Sequence, residues 1–296
     1  MNQRMEILLV GFAVLMGILV NVALLTTVLF WYETAWGPHR NHLERLSGGR
    51  VGALLCRTAF LSIFSMLAVV LLYPWGYRQR AQRTKADPSC PLPPVVLIHG
   101  LYHNASGWFL YRRWLRKAGF ANLYAVNYSS WNTSFEEALG KVAGVVEEVA
   151  GEFPGQPVML VGHSLGGLLS RALVEGYGPK LPVSAVVTLG TPHHGSKLAV
   201  FGVGRLARSL VYGGPLIQSL GQSLEKDSAD CRGRCLALYS PLDNMVLPNE
   251  ALHPPDSWQH EETFPLSHIG MLFHRPTAVR TIRHLRECST RDTPQP

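Results

Sequence analysis

The sequence predicts an α/β domain with a doubly wound, mostly parallel sheet, preceded by two apolar segments of membrane-spanning length. Three observations support this expectation. Short apolar runs alternate with segments of helical periodicity from residue 94 onward, a Gly-rich turn joins one run to a helix, and two N-terminal segments lack charge altogether. Strands that are apolar along their whole length are typical of parallel sheets, because helices cover both faces of such sheets.

The N-terminal part is exceptionally apolar. Of the 296 residues, only 16% are charged, whereas about 25% is usual for soluble proteins. Residues 7–32 and 58–77 give 26 and 20 consecutive residues without Asp, Glu, Lys or Arg. Helices of these lengths reach about 39 and 30 Å, and a bilayer core is about 30 Å thick. We therefore expect a membrane anchor in residues 1–77, with transmembrane helices at about 7–32 and 54–77.

A cleaved signal peptide is the alternative for the first segment. Its apolar stretch is longer than a usual signal peptide, and no small-residue cleavage site follows residue 32. Residues 1–90 also carry +5 of the net charge of +7, so the basic excess flanks the apolar segments, where it would face lipid headgroups. No basic stripe with interleaved aromatics occurs later, so we expect no nucleic-acid partner.

The elements after the anchor follow one another as strands and helices. Residues 78–93 are basic and contain proline, which indicates a linker. Ser134 and Glu137 form an S-x-x-E capping box ahead of a helical apolar pattern. We expect strands at residues 95–98, 123–126, 158–161, 185–189 and 236–239, and helices after residue 134, from about 165 to 176 and over 276–287. The domain is predicted to cover residues 94–289, with a tail at 290–296.

A reactive serine is predicted in the turn after the third strand. Residues 162–166 read Gly-His-Ser-Leu-Gly and lie between an apolar strand and a helix, the context that a G-x-S-x-G turn requires. Such a turn strains the backbone of Ser164 and raises its hydroxyl above the sheet edge. The following helix directs its positive N-terminus at the position where an oxyanion would form. We expect Ser164 to be a nucleophile.

A serine hydroxyl needs a histidine base that is oriented by a carboxylate. In this type of sheet the order along the chain is serine, acid, histidine. Asp243 follows the fifth predicted strand, 79 residues after Ser164, and His268 follows 25 residues later, before the last helix. We expect these two side chains to complete a catalytic triad. The other candidates for the acid or the base lie at less suitable positions: Asp227, Asp230, Glu250, Asp256, His253, His260, His274 and His284.

The oxyanion hole is set by backbone position. One N–H belongs to the residue after the nucleophile, Leu165, and the other to the loop after an early strand, which indicates Leu101. His99 at the strand end is expected to brace that loop, and His163 is expected to be a packing residue.

Several stretches of the chain, including the motifs described above, resemble a known family. Residues from about 94 to 287 are similar to the α/β-hydrolase triacylglycerol lipases of bacteria, in the stretches V-V-L-I-H-G-L, V-G-H-S-L-G-G, L-G-T-P-H-H-G-S, Y-S-P-L-D-N-M-V-L-P and L-S-H-I-G-M-L. The resemblance implies an α/β-hydrolase fold and hydrolysis of lipid carboxylic esters without a cofactor. It assigns Ser164, Asp243 and His268 as the triad and Leu101 and Leu165 as oxyanion donors. It also makes His193 and His194 structural residues of a strand-end loop.

Two features depart from that family. Its members are commonly exported behind a removable leader, whereas this chain is expected to remain an integral protein of the bacterial inner membrane. The count of basic residues leans toward a cytosolic catalytic domain. Some members bind calcium near the histidine loop, and no carboxylate cluster here clearly reproduces that site, so we expect no metal. Cys231 and Cys235 are close enough in sequence to pair.

The substrate side leaves alternatives open. Residues 196–225 are rich in apolar residues and form either a mobile, lid-like insertion or an ordinary packed helix pair. The same triad suits an acyltransferase, a phospholipase or a lysophospholipase. A non-catalytic membrane adaptor is the least favoured reading, because such proteins usually lose a triad member. No obligate protein partner is expected.

Overall fold

The computed structural model describes residues 3–78, 82–176, 181–227 and 233–291. The strands are β1 (Val95–Ile98), β2 (Leu123–Val126), β3 (Val158–His163), β4 (Val183–Leu189), β5 (Cys235–Tyr239) and β6 (Gln259–Glu262). The helices are α1 (Gln3–Thr34), α2 (His39–Ser47), α3 (Val51–Leu72), α4 (Phe109–Lys117), α5 (Phe135–Glu152), α6 (Leu165–Val174), α7 (Arg205–Ser209), α8 (Pro215–Asp227) and α9 (Arg275–Arg291). Short 3-10 segments lie at Tyr73–Tyr77, Ala105–Trp108, Lys197–Phe201, Asn249–Leu252 and Ile269–Phe273.

The strands form one parallel sheet in the order β2-β1-β3-β4-β5-β6. The chain moves outward from β1 to β2, returns to β3 and then continues in the opposite direction. The carboxyl ends of β1 and β3 therefore flank the point where the strand order reverses, which is where sheets of this kind bind ligands. This arrangement confirms the predicted fold class, and all five predicted strands are present.

The sixth strand was not predicted. β6 reads Gln-His-Glu-Glu and pairs only with β5, at the edge of the sheet. Its side chains are exposed or half-buried, so it lacks the apolar run by which the other strands were recognised. The helices α2 and α4 were not predicted either.

Helices cover both faces of the sheet. Alternate residues of a strand point to opposite faces, so Val96 and Ile98 pack in one core while Val95 and Leu97 pack in the other. The first core lies against α5 to α8, and the second lies against α4 and α9. This double cover holds β1 and β3, and hence the loops that follow them, on a rigid support.

The capping box at the start of α5 is formed as predicted. The Ser134 hydroxyl accepts the backbone N–H of Glu137 at 3.2 Å, and the Glu137 carboxylate accepts the N–H of Ser134 at 2.7 Å. Two N–H groups that the helix itself cannot bond are thereby satisfied.

The segment predicted to be a linker runs beside the outer edge of the sheet. Arg83 forms an antiparallel bridge with Tyr124 of β2, and the N–H of Thr84 donates to the carbonyl of Leu123 at 2.9 Å. Asp87 and Asn122 exchange two hydrogen bonds, of 2.8 and 2.9 Å. The described part of the segment therefore covers the edge strand β2, whose backbone groups would otherwise be open to another chain.

Two N-terminal helices are long and apolar enough to cross a membrane. The spans cover Met5–Thr34 and Val51–Tyr77, with mean hydropathy of 2.7 and 2.1. Only 11% and 28% of the residues in their most apolar windows are buried. A signal sequence or a core helix of a soluble protein can share their length and composition, so these features are weak evidence for membrane association.

α1 and α3 pack side by side in opposite directions. Leu19 in the middle of α1 shares a cluster with Met66 near the end of α3, whereas Phe30 shares a cluster with Val51 at the start of α3. We call this pair the apolar hairpin. It contacts the sheet domain through both clusters, as described below.

Candidate active site

Ser164 occupies a strained turn between β3 and α6. Its backbone has φ of 54° and ψ of −124°, a left-handed conformation that non-glycine residues rarely adopt. A Cβ at Gly162 would collide with the backbone of Gly166 and Gly167, and a Cβ at Gly166 would collide with the backbone of Ile98 and His99. The turn is therefore possible only with these glycines, as the sequence pattern predicts.

Asp243 and His268 are hydrogen-bonded to each other. The distance between His268 Nδ1 and Asp243 Oδ2 is 2.7 Å, and Asp243 is fully buried. The other carboxylate oxygen, Oδ1, accepts the backbone N–H groups of Met245 and Val246, both at 3.0 Å. A carboxylate oxygen accepts, so in this hydrogen bond the imidazole donates from Nδ1, and Nε2 is the ring nitrogen left for other partners.

The end of β4 leaves room for this pair. Gly190 has φ of 54°, and a Cβ placed on it would lie 2.9 Å from Asp243 Oδ2 and 3.2 Å from His268 Nδ1. Any side chain at residue 190 would press on the pair and strain the backbone. Gly190 thus belongs to the site, although the sequence analysis did not single it out.

Among the described residues, no hydrogen bond joins Ser164 to His268, and the two are linked through His163. The ring of His163, the residue before Ser164, is 4.7 Å from the ring of His268, and its Nε2 lies 3.1 Å from the His268 carbonyl. Serine–histidine contacts are often loose until substrate binds. The structure therefore brings Asp243 and His268 into direct contact, and it packs His163, the residue before Ser164, against His268.

The loop after β1 approaches the serine closely. A Cβ on Gly100 would lie 2.9 Å from Ser164 Cβ, and Leu101 is the next residue. Tyr102 follows with φ of 59°, and its N–H donates to the Ser130 hydroxyl at 2.8 Å. The two positions predicted to supply oxyanion donors are therefore Leu101, next to the Gly100 that approaches Ser164, and Leu165, the first residue of α6.

Buried histidines without charge support these turns. Burial lowers the pKa of His99 to about 4 and that of His103 to about 3. Burial also holds the pKa of His163 well below its usual value, and the nearby imidazoles of His268 and His103 lower it further. His99 Nδ1 lies 2.8 Å from the Gly100 carbonyl, and its ring stacks on Tyr128 at 4.1 Å. His99 therefore contacts the loop that it was expected to brace.

The paired histidines after β4 are engaged by protein groups. The carbonyl of His193 accepts a hydrogen bond of 3.0 Å from Arg171, and its Nε2 lies 3.3 Å from the Thr188 hydroxyl. Arg171 also pairs with Glu175 at 2.7 Å, with both side chains buried. Within the described residues, no group of three or more His, Cys, Asp or Glu side chains is arranged to hold a metal ion. Cys231 and Asp230 lie outside the described residues.

Asn244 links the site to the apolar hairpin, a role that the sequence analysis missed. Its side-chain oxygen accepts the backbone N–H of His268 at 3.2 Å. Its Nδ2 donates to the hydroxyl of Thr26 on α1 at 2.7 Å. The only sequence signal was the Asp-Asn pair itself, because nothing local indicates a partner 218 residues away.

The apolar hairpin packs on both loops that carry the acid and the histidine. Ile269, next to His268, is buried in one cluster with Leu19 and Met66, and Met245 packs against that cluster. Leu242, next to Asp243, is buried in the second cluster with Phe30. The hairpin is therefore part of the support of the site.

The predicted lid-like insertion divides into two parts. Leu206 and Leu220 are fully buried in the main core, as a packed helix pair would be. Val200 and Phe201, by contrast, are 62% and 73% exposed. Tyr102 ties this exposed part to the loop after β1, because its hydroxyl donates to the Val203 carbonyl at 2.6 Å and accepts the Val203 N–H at 2.7 Å.

The parallel sheet, the strained turn at Ser164 and the chain order of Ser164, Asp243 and His268 define an α/β hydrolase. Residues 95–288 match the family model described as "Alpha/beta hydrolase family". The chain therefore belongs to the alpha/beta hydrolase family.

Curated relatives cover part of the chain. Triacylglycerol lipases from Pseudarthrobacter phenanthrenivorans and Burkholderia plantarii are each 35% identical over 117 residues. The match covers 36% of this chain and 35% and 32% of the two relatives, so the chain spans about a third of the length of the curated relatives it matches.

Solved structures share the fold. The mature lipase BlEst2 of Bacillus licheniformis gives a TM-score of 0.57 at 20% identity, covering 67% of this chain and 94% of that one. The phospholipase PlaB of Legionella pneumophila gives 0.57 at 16% identity, covering 68% and 61%. At such low identity these similarities describe the fold alone.

Proposed function

We propose that this protein is a membrane-anchored serine hydrolase that cleaves carboxylic esters of lipids. The observation that carries the proposal is the buried hydrogen bond between Asp243 and His268 beside the strained turn of Ser164. A carboxylate, an imidazole and a serine hydroxyl in that order are what nucleophilic attack on an ester requires. Metal or redox chemistry is not needed for this reaction.

In the proposed mechanism, Ser164 Oγ attacks the ester carbonyl and its proton passes to His268 Nε2. Asp243 keeps the Nδ1 proton in place and stabilises the imidazolium that forms. The N–H groups of Leu101 and Leu165 stabilise the oxyanion, each by roughly 3–4 kcal/mol. His268 then gives its proton to the leaving alcohol, and water attacks the acyl-serine in a second, equivalent step to release the acid.

The buried histidines of the site carry no charge that would oppose this proton transfer. His99, His103 and His163 all have lowered pKa values because of burial. They therefore stay uncharged near neutral pH and add no positive charge that would oppose protonation of His268.

A lipid substrate is supported by three features. The curated relatives are triacylglycerol lipases, and a phospholipase shares the fold. The hairpin offers a long apolar surface that reaches the acid and histidine loops. Exposed Val200 and Phe201 add apolar surface to the segment that Tyr102 ties to the oxyanion loop. Such surfaces suit acyl chains and a membrane location.

A fluorophosphonate probe tests the proposal directly. The purified full chain should form a covalent adduct that is lost in Ser164→Ala and strongly slowed in His268→Ala. An ester series of increasing acyl length, with and without an added alcohol acceptor, then separates hydrolysis from acyl transfer. Equal labelling of the wild type and Ser164→Ala, or no labelling of a folded wild type, would overturn the proposal.

A further inference from the structure

A groove lies between the end of α3 and helix α4, and Ser164, Asp243 and His268 are not among its lining residues. It has a volume of about 730 Å³. Five cations line it, and no carboxylate is present among its described lining residues: Arg78, Arg112, Arg113, Arg116 and Lys117.

Most of these cations share one face of α4. Phe109, Arg112, Arg113, Arg116 and Lys117 occupy positions i, i+3, i+4, i+7 and i+8, which lie on the same side of a helix. The helix contains no Asp or Glu. Burial lowers the pKa of Arg112 to about 10, and the charge of Arg116 adds to this effect.

The cations at the rim are available to a ligand. Arg113, Arg116 and Lys117 are exposed, and the ion pairs of the described residues include none of them. Arg116 and Lys117 lie in the last turn of α4, where the helix dipole favours positive charge. The dipole explains their place on the helix, but it does not explain why an apolar floor accompanies them.

The floor of the groove is apolar and continues into the hairpin. Leu72 is the last residue of α3, and Trp75 and Phe109 are 50% and 56% exposed. The Arg78 guanidinium lies 5.6 Å from the centre of the Trp75 ring. A tryptophan beside a cation at the end of an apolar helix is typical of the boundary between acyl chains and headgroups.

We propose that this groove binds an anionic phospholipid of the surrounding bilayer. Arg113, Arg116 and Lys117 contact its phosphate, and the first part of its acyl chains lies on Leu72, Trp75 and Phe109. A compact anion alone would use the cations and leave the floor unused, whereas an amphiphile with a negative head matches both halves. The inference rests on the proposed membrane insertion of the hairpin and is independent of ester cleavage.

The test counts lipids retained by the full chain in the Ser164→Ala background, so that hydrolysis cannot consume them. Native mass spectrometry from detergent micelles compares phosphatidylglycerol, phosphatidylcholine and inorganic phosphate at matched concentrations. We expect one phosphatidylglycerol per chain, retained at least about tenfold more tightly than phosphatidylcholine. Retention of phosphate equal to that of the lipid, or equal retention of the two lipids, would overturn the proposal.

Matched variants separate the groove from general charge attraction. Replacing Arg113, Arg116 and Lys117 by Gln should weaken phosphatidylglycerol retention roughly tenfold to a hundredfold. The control replaces Arg40, Arg45 and Arg50 by Gln, which removes the same charge at the other end of the hairpin and should change retention less than twofold. If both triple variants lose retention equally, the groove is not a site.

A separate variant tests the contribution of the apolar floor to lipid retention. Phe109→Ser should weaken retention of phosphatidylglycerol severalfold, because it removes exposed apolar surface without changing the charge. An unchanged value would mean that the floor plays no part and would contradict an amphiphile as the ligand. Flotation of the same protein with vesicles is scored separately: a chain that stays in solution contradicts membrane insertion, whereas an inserted chain that does not distinguish the lipids contradicts only the groove.

Discussion

Asn244 donates a hydrogen bond of 2.7 Å to the hydroxyl of Thr26, and so joins the loop of the proposed catalytic acid to an N-terminal apolar helix. The same side chain accepts the backbone N–H of His268. The position of the histidine therefore depends on a helix that precedes it by more than two hundred residues in the chain. An anchor that merely tethered a soluble enzyme would have no such contact.

Removing the Asn244 side chain should impair turnover more than substrate binding. Asn244→Ala leaves the N–H of His268 without its acceptor and frees the loop, so we expect kcat to fall about tenfold with KM changed less than twofold. Steady-state kinetics on a short-chain ester measure both constants. Thr26→Val should have a smaller effect in the same direction, and Thr26→Ser, which keeps the hydroxyl, should behave as the wild type. A rise in KM alone would argue against a positioning role.

A side chain at residue 190 should lower catalytic activity in addition to straining the backbone. Gly190→Ala combines a left-handed conformation with contacts to Asp243 and His268. Gly213→Ala is the matched control, since Gly213 has φ of 62° and nothing within 4 Å of a new Cβ. Both should lose about 1–2 kcal/mol of unfolding free energy, but only Gly190→Ala should lower kcat/KM, by about tenfold or more. Equal activity losses in the two variants would disprove the distinction.

The contact between Tyr102 and Val203 should restrain the exposed part of residues 196–225. Tyr102→Phe removes both hydrogen bonds of the hydroxyl, and we expect it to change the ratio of long-chain to short-chain ester rates severalfold. Phe201→Ser should lower long-chain rates selectively, because Phe201 is exposed, apolar surface. Tyr212→Phe, on the same segment, is the control. Leu206 is unsuitable for this test because it is buried in the core, and equal loss of both rates would exclude a lid or acyl-chain wall.

The buried histidines should make stability depend on pH. The pKa values of His99 and His103 are about 4 and 3 in the folded protein, against about 6.5 in an unfolded chain. The unfolded state therefore binds more protons below pH 6.5, so stability is full above that pH and falls as the pH drops toward 4. Each histidine contributes a slope of about 1.4 kcal/mol per pH unit in that window.

Denaturant unfolding at pH 7.5 and pH 5.0 measures this dependence. His103→Gln removes one titrating group, so the loss of stability between the two pH values should be smaller than in the wild type by about 2 kcal/mol. A wild-type pH dependence retained in full by His103→Gln would show that this histidine does not titrate as described.

Much of the fold was readable from local sequence. β1 and β3 are continuous apolar runs, and the capping box of α5 lies within four residues. An apolar run reports that both faces of a strand are buried, and a capping box depends on neighbouring backbone groups. Both signals are therefore visible in a few consecutive residues. β6 escaped prediction because its four polar residues form a strand only through pairing with β5. An edge strand carries little burial pattern of its own.

The site follows the same division. The sequence by itself determined the turn at Ser164, because the glycines and the backbone strain of that turn are local. It also predicted Asp243 and His268 as partners from their order after successive strands. Only the tertiary structure decided that Gly190 leaves room for the Asp243–His268 pair and that Thr26 reaches Asn244. Those contacts join residues far apart in sequence, and their existence depends on how the apolar hairpin packs against the loops at the carboxyl edge of the sheet. Packing of that kind is a property of the whole folded chain and leaves no periodic trace in any one segment.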